Sequence, residues 1–61
     1  MAWEVIADYQ GREVRHEFSR LKGAEAHFEI YKSKPDTFSV TIVHYDRHGG
    51  DKVVKHWEAA A

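Results

Sequence analysis

The chain has 61 residues, with nine Lys or Arg, ten Asp or Glu, five His, no Cys and 43% apolar residues. That length holds a single domain over residues 1–61, and a domain of this size buries only about 60% of its unfolded surface. The absence of Cys removes disulfides and thiolate metal sites, no run approaches the roughly 20 apolar residues of a membrane span, and a formal charge of −1 argues against a bulk electrostatic nucleic-acid binder.

From Ala2 to Tyr9, Trp3, Val5, Ala7 and Tyr9 alternate with Glu4, Ile6 and Asp8, the period of a strand. Gln10-Gly11 supplies a two-residue turn, and Arg12 to Phe18 alternates again with Val14, His16 and Phe18 in phase. Closing the hairpin on Gln10-Gly11 sets Tyr9 opposite Arg12, Ala7 opposite Val14, Val5 opposite His16 and Trp3 opposite Phe18. The apolar sets of both strands then share one face, and a slip of one residue destroys that agreement.

Between Ser19 and Lys34 the period changes. Leu21, Ala24, Phe28 and Tyr31 recur at spacings of three and four, one stripe of a helix, with Arg20, Lys22, Glu25, Glu29 and Lys32 mostly on the other side. Ser19 is the candidate N-cap. Gly23 weakens the first turn by about 1 kcal/mol relative to Ala, which places the regular helix from Gly23 or Ala24 onward. Lys32 and Lys34 suit the carboxyl end of the helix dipole, and Pro35 turns Lys34 out of the helical region. A rival reading makes Ala26 to Lys32 a strand and the chain an all-β five-stranded meander.

After Lys34-Pro35-Asp36, Thr37 to Tyr45 is rich in β-branched and aromatic residues, with Phe38, Val40, Ile42 and His44 on one face and Ser39, Thr41, Val43 and Tyr45 on the other. Asp46 to Asp51 is a turn cluster, and Lys52 to Trp57 returns as a final strand. A four-residue loop over Arg47 to Gly50 pairs Val40 with Trp57, Ile42 with Lys55 and His44 with Val53. That register turns Trp57, the largest apolar side chain available, toward the core, whereas one residue more or less in the loop turns Val54 and His56 there instead. Glu58 to Ala61 reads as a tail.

The predicted fold class is α+β: an antiparallel four-stranded sheet with one helix on one face, in the order ββαββ. A hairpin running through Phe18-Ser19 into a helix with Ala24 and Phe28, then Lys34-Pro35-Asp36 and the strand Phe38-Ser-Val-Thr-Ile42, resembles small uncharacterised ββαβ(β) domains of phage and bacterial genomes. The resemblance covers most of the chain. It implies the fold and a phage or mobile-element source, and it carries no catalytic motif.

Five histidines are the unusual feature of the composition. His44, His48 and His56 could share a metal ion across the last hairpin, but strand alternation turns His56 away from His44, so no metal site is assigned. His16 and His44 read as core-margin residues; His27, His48 and His56 read as solvated. Asp46 and Asp51 flank a Gly-containing turn and read as turn chemistry. There is no Cys nucleophile, no Gly-x-Ser-x-Gly elbow and no phosphate loop, and so short a chain has difficulty forming the roughly 300 Å³ pocket of a ligand site. No enzyme activity, cofactor or small-molecule substrate is therefore expected. Met-Ala-Trp-Glu-Val lacks the basic and apolar regions of a signal peptide, so a cytoplasmic location is expected.

If the helix covers Trp3, Val5, Tyr9, Val14, Phe18, Val40 and Ile42, then Ile6, Thr41, Val43 and Tyr45, with Val54 in the four-residue-loop register, remain on the opposite face of the sheet among Glu4, Asp8, Glu13, Arg15 and Glu17. Ile6, Thr41, Val43 and Tyr45 are the candidate protein interface, for another protein or for a second copy in a homodimer, with Tyr45 as an amphipathic anchor. The alternative function is nucleic-acid binding through Arg12, Arg15, Arg47, Lys52 and Lys55 on the two hairpins, against which Glu13, Glu17, Asp46 and Asp51 are interleaved.

Overall fold

The computed structural model describes residues 2–60. Its elements are β1 (Ala2–Tyr9), β2 (Arg12–Phe18), α1 (Leu21–Lys32), β3 (Thr37–Tyr45) and β4 (Asp51–Glu58). The four strands form one antiparallel sheet in the order β2-β1-β3-β4. The fold is α+β in the order ββαββ, and the all-β meander is excluded by α1, a helix of twelve residues and about 18 Å.

The β1–β2 hairpin has the register that the alternation dictates, from Trp3↔Phe18 to Tyr9↔Arg12. Gln10 and Gly11 both take positive φ, 54° and 75°, as the primed turn of a two-residue hairpin requires. Gln10 is held in this conformation from outside the turn. Its backbone N–H donates to the Asp36 carbonyl and its side-chain amide to the Asp36 carboxylate, at 3.1 and 3.2 Å.

Helix α1 begins at Leu21, two residues earlier than Gly23 suggests. Arg20, extended at φ −135°, is the N-cap in place of Ser19, and no side chain caps it. Packing offsets the missing cap. Ala24 and Phe28 are buried on the sheet between Val5, Ala7, Val40 and Ile42, all at most 1% exposed, and Leu21 and Tyr31 flank them on the same stripe. Each fully buried Phe, Ile or Val contributes roughly 1.5–3 kcal/mol, so this contact outweighs a weak first turn. The helix ends at Ser33, whose hydroxyl donates to the Ile30 carbonyl.

Two bulges correct the sequence reading of β3 and β4. Asp8 pairs with Ser39 but Tyr9 pairs with Thr37, leaving Phe38 as the extra residue. Thr37 is therefore the buried one, at 3% exposure, and Phe38 stands at 59% instead of lying in the core. On the other side of β3, Tyr45 pairs with Asp51 and His44 with Lys52, so the loop is the five residues 46–50 and His44 does not meet Val53. Left uncorrected, the longer loop would turn Trp57 outward. Val54 is bulged out of the ladder, Ile42 pairs with Lys55 and Val40 with Trp57, and the tryptophan stays on the core side as predicted. Asp46 organises the loop as turn chemistry: its Oδ1 accepts the N–H of His48 and of Gly50, at 2.8 and 2.9 Å.

Candidate docking surface

Helix α1 covers only one side of the sheet. Cross-strand partners point to the same face, so the register assigns the uncovered side without ambiguity. From β1 it receives Glu4, Ile6 and Asp8; from β2, Glu13, Arg15 and Glu17; from β3, Ser39, Thr41, Val43 and Tyr45; from β4, Asp51, Val53, His56 and Glu58. The four candidate interface residues Ile6, Thr41, Val43 and Tyr45 are together on this face, with Val43 only 9% exposed and Val53 beside it 59% exposed.

The charges on this face are the larger finding. It holds six of the ten acidic residues, Glu4, Asp8, Glu13, Glu17, Asp51 and Glu58, and only Arg15 of the nine basic ones, a formal −5. Two of the cross-strand pairs, Glu4↔Glu17 and Asp8↔Glu13, set carboxylate directly opposite carboxylate, an arrangement that destabilises a sheet. Arg15 lies between them, donating from Nη1 to Glu4 at 3.2 Å and from Nε to Glu13 at 2.9 Å. Glu13 first, then Glu4, raise its pKa above the ordinary value. The Tyr45 hydroxyl donates to the same Glu4 oxygen at 2.7 Å, and this hydrogen bond, reinforced by burial, pushes the phenol above its usual range. Further across the sheet, Thr41 Oγ1 and His56 Nδ1 share a 2.8 Å hydrogen bond, and His56 Nε2 lies 3.1 Å from Glu58. The surface is thus an apolar line of Ile6, Val43 and Val53 set among carboxylates.

The signal for the acidic residues is in the sequence. Once the β1–β2 register is fixed, Glu4, Asp8, Glu13 and Glu17 must share the side away from Val5 and Ala7. The sequence reading places Glu4, Asp8, Glu13, Arg15 and Glu17 around Ile6 and Val43; what it lacks is Asp51 and Glu58, which the register of β4 adds.

The five basic residues of the nucleic-acid alternative are not gathered. Arg12 follows the β1–β2 turn at the end of the sheet where Tyr9 pairs with Thr37, whereas Arg47 is in the 46–50 loop at the opposite end, where Ala2 pairs with Tyr45. Arg15 is engaged by Glu4 and Glu13 on the open face; Lys52 is opposite His44 on the helix side; Lys55 lies 4.9 Å over the Phe28 ring and 3.8 Å from Glu29.

The histidines also differ from their sequence reading. His27, expected in solvent, is half-buried under the helix edge with Nε2 enclosed and without a hydrogen-bond partner among the described residues. Its ring lies 4.4 Å from that of His16, 5.2 Å from Phe18 and 5.0 Å from Tyr31. Burial first, and then the neighbouring His16, lower its pKa. His16, expected at the core margin, is exposed, and His44 packs on Trp3 at 4.8 Å. Among the described residues no group of three or more His, Asp or Glu is placed to hold a metal ion.

Two surface depressions exceed the size expected of so short a chain, and both are open to solvent. One, about 380 Å³, lies on the open face between Ile6, Asp8, Arg12, Glu13, Ser39 and Thr41; the other, about 440 Å³, lies beside Phe18, Arg20 and Gly23. Among the described residues no helix is long and apolar enough to cross a membrane. No family model, no curated protein and no solved structure matches the chain.

Proposed function

We propose that the protein is a non-enzymatic binding module that docks a cationic protein surface on the open face of its sheet. The observation that carries this reading is the segregation of charge: around the line Ile6, Val43 and Val53 the strand register turns six carboxylates and the Arg15 guanidinium to this face, with Arg12 bordering it only at the turn end of the depression. Opposed carboxylate pairs cost stability, and a partner bringing Lys or Arg relieves that cost only in the complex, a source of specificity and of fast association. Ile6 and Val53, on either side of the buried Val43, supply the apolar area that excludes water. The same charges repel phosphate, which weighs against nucleic acid on this face.

An extended peptide of alternating Lys and Val, titrated into the labelled protein and followed by amide chemical shifts, tests the reading. Shifts centred on Ile6, Val43 and Tyr45, weakened by Val53→Lys, are the expected result. Shifts confined to the helix side, or none at a peptide concentration of about 1 mM, the weak end of useful affinity, would overturn it.

A further inference from the structure

We infer that the cationic surface is carried by the chain itself, so that the open face of one copy docks on the helix side of the next, head to tail. This rests on the proposed docking role of the open face and names its occupant. The chain is nearly neutral as a whole, yet its two sides are opposite in sign. The helix side carries Arg20, Lys22, Lys32, Lys34, Lys52 and Lys55 against Glu25 and Glu29, a formal +4 facing away from the −5 of the open face. Arg12, at the turn end of β2 where it borders the open-face depression, and Arg47 in the 46–50 loop offset Asp36 and Asp46 and add nothing net.

Shape follows the charge. Lys22, Ala26 and Ile30 are four residues apart on α1, all exposed, and form one outward stripe in which Ile30 stands at 52%. The stripe of one small and one branched apolar residue starts from Lys22 and has Glu25 and Glu29 beside it; the bases that outnumber them lie around it, Arg20, Lys32 and Lys34 at the helix ends and Lys52 and Lys55 on β4, and meet the acids around the sheet line of Ile6, Val43 and Val53. The packing repeats on the far side of the sheet what α1 does on the near side. Association of two open faces with each other is disfavoured, because it sets six carboxylates against six. A head-to-tail contact is heterologous and leaves a free open face and a free helix side after every addition, so growth does not stop at two.

Sedimentation equilibrium from about 10 μM to about 1 mM tests this, the range in which a contact of modest affinity forms. The expected weight-average mass rises continuously with concentration, without a plateau at the dimer. Glu17→Lys and Lys22→Glu, both at exposed positions, each lower the association constant about tenfold. An equimolar mixture of the two associates again, because the intact helix side of the first meets the intact open face of the second. Circular dichroism of both variants checks that the fold is kept. A strict monomer, a plateau at the dimer mass, or a Lys22→Glu variant that associates like the parent would overturn the inference. If the chain is monomeric while the Lys-Val peptide still shifts the open-face amides, the docking role stands and only its occupant is wrong; if neither binds, both fall.

Discussion

Gly23 lies against the ring of Phe18: a β-carbon at position 23 would sit 3.1 Å from Phe18 Cδ1. This approach explains a glycine in the first turn of a helix that has no side-chain cap. It also sets two effects against each other in Gly23→Ala. Alanine gains about 1 kcal/mol of helix propensity, while the contact requires Phe18 to move by a few tenths of an ångström. Phe18 borders the open depression of about 440 Å³ and has room to yield. Gly23→Ala is therefore expected to raise the thermal midpoint, by less than the full propensity gain. A lowered midpoint would mean that Phe18 is held fixed, with the His27 ring 5.2 Å from its own.

The His27 ring makes stability depend on pH. Burial and His16 lower its pKa in the folded state relative to the unfolded value near 6.5, so between those two values the unfolded chain binds more protons. Stability contributed by neutral His27 is complete above about pH 6.5 and is lost as pH falls toward the folded-state value. The groups facing it are His16 from β2 and Tyr31 from its own helix, the latter within 3.4 Å of His16 Nε2; no carboxylate is among these contacts. Denaturant midpoints are expected to fall between pH 7.5 and pH 5.5, and His27→Phe is expected to flatten the profile. An unchanged slope in that variant would move the effect to another histidine.

Tyr45 and Glu4 report on the open face directly. The 2.7 Å hydrogen bond to Glu4, then burial, hold the phenol un-ionised above its usual range, with Arg15 acting in the opposite direction. In a spectrophotometric titration Tyr45 is expected to ionise above pH 10, and Glu4→Gln to bring it down. Arg15→Met is expected to move it further up. A tyrosine whose titration is the same in all three proteins would show that the Glu4 contact is absent in solution.

What the sequence revealed, and what it hid, follows from the range of the interactions. The first hairpin was legible because Gln10-Gly11 fixes the loop and every pair from Trp3↔Phe18 onward then agrees in phase. The stripe Leu21, Ala24, Phe28 and Tyr31 was legible for the same reason, a local period written in one segment. The bulges at Phe38 and Val54 were not, because alternation reads the same until a partner strand shows which residue is skipped. The His16–His27 contact joins β2 to α1 and has no local signature. The acidic face was half legible. Its members lie at strand positions the register had already assigned, but their meaning appears only when four strands are counted together.

The Val54 bulge gives the sharpest test of the ladder. Removing one residue from a strand ordinarily turns all that follows to the opposite face. Here Val54 is the residue without a partner, between Val43↔Val53 and Ile42↔Lys55. Without it, Lys55 follows Val53 directly and still meets Ile42, His56 still meets Thr41, and Trp57 still meets Val40. Deletion of Val54 is therefore expected to leave the fold intact, with stability within about 1 kcal/mol of the parent, since the bulge is lost along with one half-exposed side chain. Near-ultraviolet circular dichroism and tryptophan fluorescence should keep the signature of a packed Trp57. A red-shifted emission with loss of the near-ultraviolet bands would show that Trp57 has swung to the open face and that the bulge, rather than the pairing of Val40 with Trp57, sets the register of β4.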